Sequence, residues 1–193
     1  MGGTFDPIHC GHVLLAQFVS EALALDRVLF VPAADPPHKD VRRLGAGAED
    51  RWRMVELAIA GLPAFEASRL ELDRPGKSYT VDTLRQLRRQ HPAAALYLLI
   101  GADNVPLMET WHDPEGIFGL CTVVAGARSG APEGGDPALM RRVERVETPL
   151  FEFSSTQIRD RQRRGAPIRY LVPGPVEEYI RQKGLYADPC TPH

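Results

Sequence analysis

The chain has 193 residues, 44% apolar and 25% charged, with 3 cysteines and a formal charge of −2 at pH 7. That is enough apolar chain for one self-sufficient core, and the near-neutral balance supplies no general attraction to nucleic acid or anionic lipid. Cys10, Cys121 and Cys190 are odd in number and widely spaced, which argues against a secreted disulfide framework, and no apolar run approaches the ~20 residues of a membrane span.

With no charged-then-apolar leader, the expected location is the cytoplasm. The chain opens MGGTFDPIHCGHVLLAQ. Gly2 and Gly3 lack a Cβ, so backbone there can pass close to a bulky anion. Asp6 followed by Pro7 reads as a helix start, with Asp capping free N–H groups and Pro at the first position. His9 and His12 are three apart, which places both imidazoles on one face of the first turn. Apolar residues then recur at helical spacing over 13–23, and 28–31 is a short apolar run stopped by Pro32.

Residues 33–47 carry Pro36, Pro37, Gly45 and Gly47 and read as a loop, before a helical pattern over 49–60 and an alternating, strand-like stretch over 65–72. A helix over 78–90, with Val81, Leu84 and Leu87 on one face, leads to the most strand-like run in the chain, 96–100. A short helix near 113–118 and a strand at 121–125 follow. A Gly/Pro-rich loop over 126–137, a helix to about 145, a strand at 149–153 and helices over 155–164 and 175–183 complete the pattern. Continuous apolar strands alternating with helices imply an α/β fold, a doubly wound and mostly parallel sheet with helices on both faces and a ligand edge at the strands' carboxyl ends. One domain over 1–187 is expected, with 188–193 a disordered tail. In such a sheet a buried strand delivers the glycine turn, yet only Met1 precedes Gly2. The upstream reading frame is therefore expected to encode ~5–8 further apolar residues.

Two imidazoles beside glycines at a helix N-terminus suit a phosphate undergoing substitution, where fixed donors stabilise charge growing on non-bridging oxygens. A metal site built from His9, Cys10, His12 and His38 is the alternative, weakened because Cys10 points off the His9/His12 face. Far downstream, FSSTQIRDR supplies a second anion site. Ser154 and Gln157 fit a capping box, Ser155 and Thr156 lie at the new helix N-terminus, and Arg159 leans back toward that end. Arg161, Arg163 and Arg164 read as a solvated face, with Asp160 and Arg164 spaced for an i,i+4 pair.

The segment GGTFDPIHCGH resembles the signature of the nucleotidylyltransferase superfamily, whose His-x-x-His motif binds nucleoside triphosphate. With GGTFDP ahead of it, the segment is similar to that of the bacterial nicotinate-nucleotide adenylyltransferases. SSTQIR resembles the second signature of that family, and the likeness runs to the closing Gly-Leu-Tyr at 184–186. The resemblance implies a Rossmann-like fold and transfer of AMP from ATP to nicotinate mononucleotide in NAD biosynthesis, with Mg²⁺ accompanying ATP. It implies catalytic roles for His9 and His12. ATP would be bound by Gly2, Gly3, Thr4, Phe5, Lys39, Asp103, Ser155, Thr156 and Arg159, and the nicotinate nucleotide by Tyr79, Thr80, Trp111 and His112. Partners are then small molecules rather than nucleic acid or membrane, with a homo-oligomer left open. Adenylyl or cytidylyl transfer to another phosphate, such as nicotinamide mononucleotide or phosphopantetheine, an inactive nucleotide sensor, and a zinc hydrolase remain the competing readings.

Overall fold

Strands and helices alternate along the chain as the apolar pattern requires. In the computed structural model, which describes residues 1–37, 44–127, 135–149 and 154–188, the order is β1 (Gly2–Gly3), α1 (Cys10–Ala22), β2 (Val28–Pro32), α2 (Ala48–Ile59), β3 (Phe65–Ala67), α3 (Thr80–Gln90) and β4 (Tyr97–Gly101). Then come two short 3-10 turns, α4 (Pro114–Leu120), β5 (Thr122–Ala127), α5 (Pro137–Met140), β6 (Glu144–Glu147), α6 (Ser155–Arg163) and α7 (Gly174–Lys183). His38, Lys39, part of the Gly/Pro-rich loop, most of the strand expected at 149–153, and residues 189–193 of the expected tail lie outside the described residues.

Among the described residues every ladder is parallel, in two runs ordered β1-β2-β3 and β4-β5-β6, and β1 lies against β4. The winding therefore reverses between β1 and β4, which is where open α/β sheets hold their ligands. Side-chain alternation on β4 and β5 divides the core. Leu98, Ile100, Val123 and Ala125 face α3 and α4 with Val81, Leu84 and Ile117, while Leu99 and Val124 face the other way into a cluster with Ala16, Val19, Ile158 and Val176. Helices cover both faces, as expected of a doubly wound sheet.

Three local expectations are corrected. The alternating stretch 65–72 is a strand only over Phe65–Ala67, since its later polar residues leave the ladder for a turn closed by Asp73 N–H donating to Arg69 O at 2.9 Å. The helix expected to reach about 145 stops at Met140, and Glu144–Glu147 is instead a strand beside β5. Asp160 pairs with Arg163 at 2.6 Å, while Arg164 Nε donates to the Asp160 carbonyl.

Candidate active site

The turn after β1 is held from several sides. Phe5 takes a left-handed conformation, φ 51°, that a bulky L residue adopts only when its surroundings enforce it. Here the enforcement is its buried ring, 6.1 Å from the Phe30 ring and 5.1 Å edge-on from the His12 ring. The next peptide, Asp6–Pro7, is cis.

Asp6 does not cap α1, as the sequence suggested; the N-cap is His9. The Asp6 carboxylate is 3% exposed and reaches across the fold, accepting from Gly45 N at 2.9 Å, Ala46 N at 3.0 Å and Tyr186 Oη at 2.8 Å. These partners are 39, 40 and 180 residues away in sequence, so no local rule reveals them. Burial, reinforced by the negative charge of Asp6, pushes the Tyr186 phenol well above its ordinary range and keeps it a donor. Gly45 is required at this crossing, because a Cβ there would sit 2.5 Å from Tyr186 Cδ1.

The two histidines are together as their spacing predicts. Their rings stack with centroids 3.7 Å apart and planes 27° from parallel. The His9 backbone N–H donates to His12 Nδ1 at 3.2 Å, an acceptor role that places the His12 ring proton on Nε2. His9 is 8% exposed, and burial pulls its imidazole down to about 4, which makes it neutral at physiological pH. Not every amide of the α1 N-terminus points at a ligand, since Cys10 N–H donates to Leu171 O at 2.9 Å.

The second signature docks on the same turn. Ser154 and Gln157 form the expected capping box at 3.3 and 2.8 Å, which starts α6 with Ser155 and Thr156 in its first turn. Ser155 Oγ donates to Pro7 O at 2.9 Å, and Arg159 donates through Nη1 to Asp6 O at 2.7 Å and through Nη2 to Thr156 Oγ1 at 3.2 Å. The Arg159 guanidinium is also 3.7 Å from Asp6 Oδ2. The serine hydroxyl and this guanidinium thus join the two signatures into one unit.

On the other core face, Tyr79 caps α3, Thr80 is its first residue, and the Tyr79 ring lies 4.4 Å from that of His112. Trp111 packs partly buried on the same cluster. Ser78 accepts from Ala34 N at 3.0 Å and Asp35 N at 3.2 Å, tying this segment to the end of β2. Beneath it, Glu71 Oε1 accepts from Thr83 Oγ1 at 2.6 Å, and burial raises the carboxyl above its usual range. Asp103 is exposed just after β4, its carboxylate folded over Gly101, where a Cβ would meet Oδ1 at 2.5 Å. Arg51, which the sequence did not single out, is 1% exposed, and its Nη1 donates to both Thr4 O and Ala33 O at 2.7 Å. Its only sequence signal was a cation on the inward face of α2.

Parallel strands thus converge on a switch point, where a His-x-x-His turn and a second helix N-terminus bolted to it lie together. The chain matches the profile of the family described as "Cytidylyltransferase-like" over residues 1–161. It is 49% identical over 185 residues to a "Probable nicotinate-nucleotide adenylyltransferase" of Thermus thermophilus, covering 96% of each chain, and 45% identical to the protein of that name from Geobacillus thermodenitrificans, covering 96% of this chain and 83% of that one. The Plasmodium falciparum nicotinic acid mononucleotide adenylyltransferase complexed with NaAD shares the fold, with a TM-score of 0.79 at 18% identity over 96% of this chain and 94% of that one. The chain belongs to the nicotinate-nucleotide adenylyltransferase family.

Proposed function

We propose that this protein transfers AMP from ATP to nicotinate mononucleotide, giving nicotinate adenine dinucleotide and pyrophosphate, a step of NAD biosynthesis. The observation that carries the reading is the joint between the two signatures: the stacked His9/His12 pair and the N-terminus of α6 are fastened to one turn by Ser155 and Arg159. Two sets of anion donors at fixed separation suit a polyphosphate chain rather than a single phosphate.

The acceptor's own phosphate is the nucleophile, so positioning and electrostatics suffice and no covalent enzyme intermediate is needed. His12 Nε2–H and the neutral His9 donate to oxygens of the α-phosphate as charge develops. Gly2, Gly3, Thr4 and Phe5 supply backbone against the nucleotide. The α6 N-terminus, with Ser155, Thr156 and Arg159, takes the β- and γ-phosphates, and Lys39 and Asp103 complete the ATP side. Tyr79, Thr80, Trp111 and His112 receive the nicotinate ring, whose carboxylate meets the leading N–H groups of α3.

Mg²⁺ would accompany ATP and supply charge neutralisation for the departing pyrophosphate. Such an ion keeps most of its waters and is held largely by substrate phosphates. The test is direct. Incubation with ATP, Mg²⁺ and each mononucleotide should yield nicotinate adenine dinucleotide by mass, with release of pyrophosphate. Failure to form any dinucleotide would overturn the reading.

A further inference from the structure

Arg51 is an expensive residue to keep where it is. It lies on α2 among Met54, Val55, Ala58 and Ile59, 1% exposed, and its Nε has no hydrogen-bond partner among the described residues. A buried, incompletely satisfied cation is commonly matched or surpassed in stability by an apolar residue of similar volume. An apolar residue could fill the same volume, so what distinguishes Arg51, whose charge the nearby Asp6 carboxylate favours, is what it holds. The two hydrogens of one nitrogen, Nη1, go to the carbonyls of Thr4 and Ala33, which lie just past the ends of adjacent strands β1 and β2.

A trans peptide holds its C=O and N–H antiparallel. Holding the Ala33 carbonyl toward Arg51 must turn the Ala34 N–H away from it, and that N–H is found donating to Ser78 Oγ at 3.0 Å, directly before Tyr79 and Thr80. The Thr4–Phe5 peptide is also trans, and its carbonyl is held by the same nitrogen. The Phe5 N–H accordingly points away from Arg51, on the turn that carries the His-x-x-His motif.

We propose that Arg51 is a positioning residue: from inside the core it aims the Phe5 N–H at the nucleotide phosphates and sets the Ala33–Ala34 peptide that anchors the acceptor-side segment at Ser78. This rests on the adenylyl-transfer reading for the identity of the two ligands. One nitrogen thereby fixes both substrate subsites relative to each other. Arg51 would act on the substrates through these two carbonyls.

The experiment compares ¹⁵N-labelled wild type, R51K and R51M, each titrated with ATP and Mg²⁺ and then assayed with nicotinate mononucleotide. Lys keeps the charge on a shorter arm that cannot hold both carbonyls in place, and Met removes it at similar volume. In wild type the Phe5 amide resonance should move on addition of ATP. In both variants that response should fall by at least half, the Kd for ATP should rise at least fivefold and kcat should drop at least tenfold, while unfolding stays cooperative. A residue that merely supports the fold would shift the melting temperature and leave the Phe5 response intact, and that result overturns the proposal, as does a Phe5 amide silent to ATP in wild type. If R51M does not fold, R51K decides alone. If wild type makes no dinucleotide, the transfer reading fails, and the change in the Phe5 response to ATP between wild type and R51K still decides the role of Arg51.

Discussion

Acidification should loosen this protein through His9, by an amount the structure sets. The imidazole is 8% exposed, and burial lowers it from an ordinary value near 6.5 to about 4. Between those values the unfolded chain binds a proton at this position and the native protein does not. Stability contributed by the neutral buried ring is thus fully present above pH 6.5 and is lost as pH falls toward 4. At 1.36 kcal/mol per pKa unit the whole loss comes to about 3 kcal/mol, a large part of the roughly 5–15 kcal/mol that holds a domain together. Urea unfolding of wild type and His9→Gln, repeated at half-unit steps from pH 7.5 to 4.5, isolates the effect, because Gln has nothing to titrate. Glu71, whose raised pKa acts in the opposite sense as pH falls, is present in both proteins and cancels in the difference. The wild-type curve should drop faster than that of the variant by about 1 kcal/mol per pH unit below pH 6. Parallel curves across that window would refute the assignment of a neutral, desolvated His9.

Four further outcomes are expected. His12→Ala should lower kcat about 10²–10³-fold with a smaller change in the KM for ATP, as for loss of one preorganised donor; steady-state kinetics checks this, and a change below tenfold removes His12 from the reaction. Tyr186→Phe deletes a hydrogen bond to a buried carboxylate and should destabilise by about 1.5–3 kcal/mol in chemical denaturation. Gly45→Ala drives a Cβ into the Tyr186 ring and should cost about 1–3 kcal/mol, with an unchanged melting temperature as the contrary result. Nicotinate mononucleotide should outcompete nicotinamide mononucleotide in kcat/KM, because N–H groups at the start of α3 favour a carboxylate over an uncharged amide; equal efficiencies would show that they do not discriminate.

The parts of the site that were legible in the sequence are those governed by short-range rules. The i,i+3 spacing of His9 and His12 became a ring stack, and the Ser154/Gln157 box started α6 where its residues demanded, since caps and helical faces depend on residues three or four apart. The joints between segments were not legible. Asp6 looked like a cap because Asp before Pro usually is one, but its acceptors were claimed by Gly45, Ala46 and Tyr186, partners set by tertiary folding. Arg51 falls at helical spacing from Met54, Val55 and Ala58, on the inward face of α2, but the carbonyls of Thr4 and Ala33 that hold it there are set by tertiary folding. Strand β6, Glu-Arg-Val-Glu, is mostly exposed at the rim of its sheet, so the apolar alternation that betrays a buried strand is missing.

The bond from Tyr186 to Asp6 also fixes when this site can exist in the life of a molecule. Its two ends are 180 residues apart, so at roughly 5–20 residues per second the glycine turn leaves the ribosome some 10–40 s before the phenol that completes it. Gly45 and Ala46 reach the Asp6 carboxylate early, whereas α6 and the turn at Tyr186 arrive last. Nascent chains therefore carry the first signature before the contacts from Ser155, Arg159 and Tyr186 that brace its turn can form. A ligand held by both signatures would stabilise only chains in which both have folded together, because binding to the native state alone shifts the folding equilibrium.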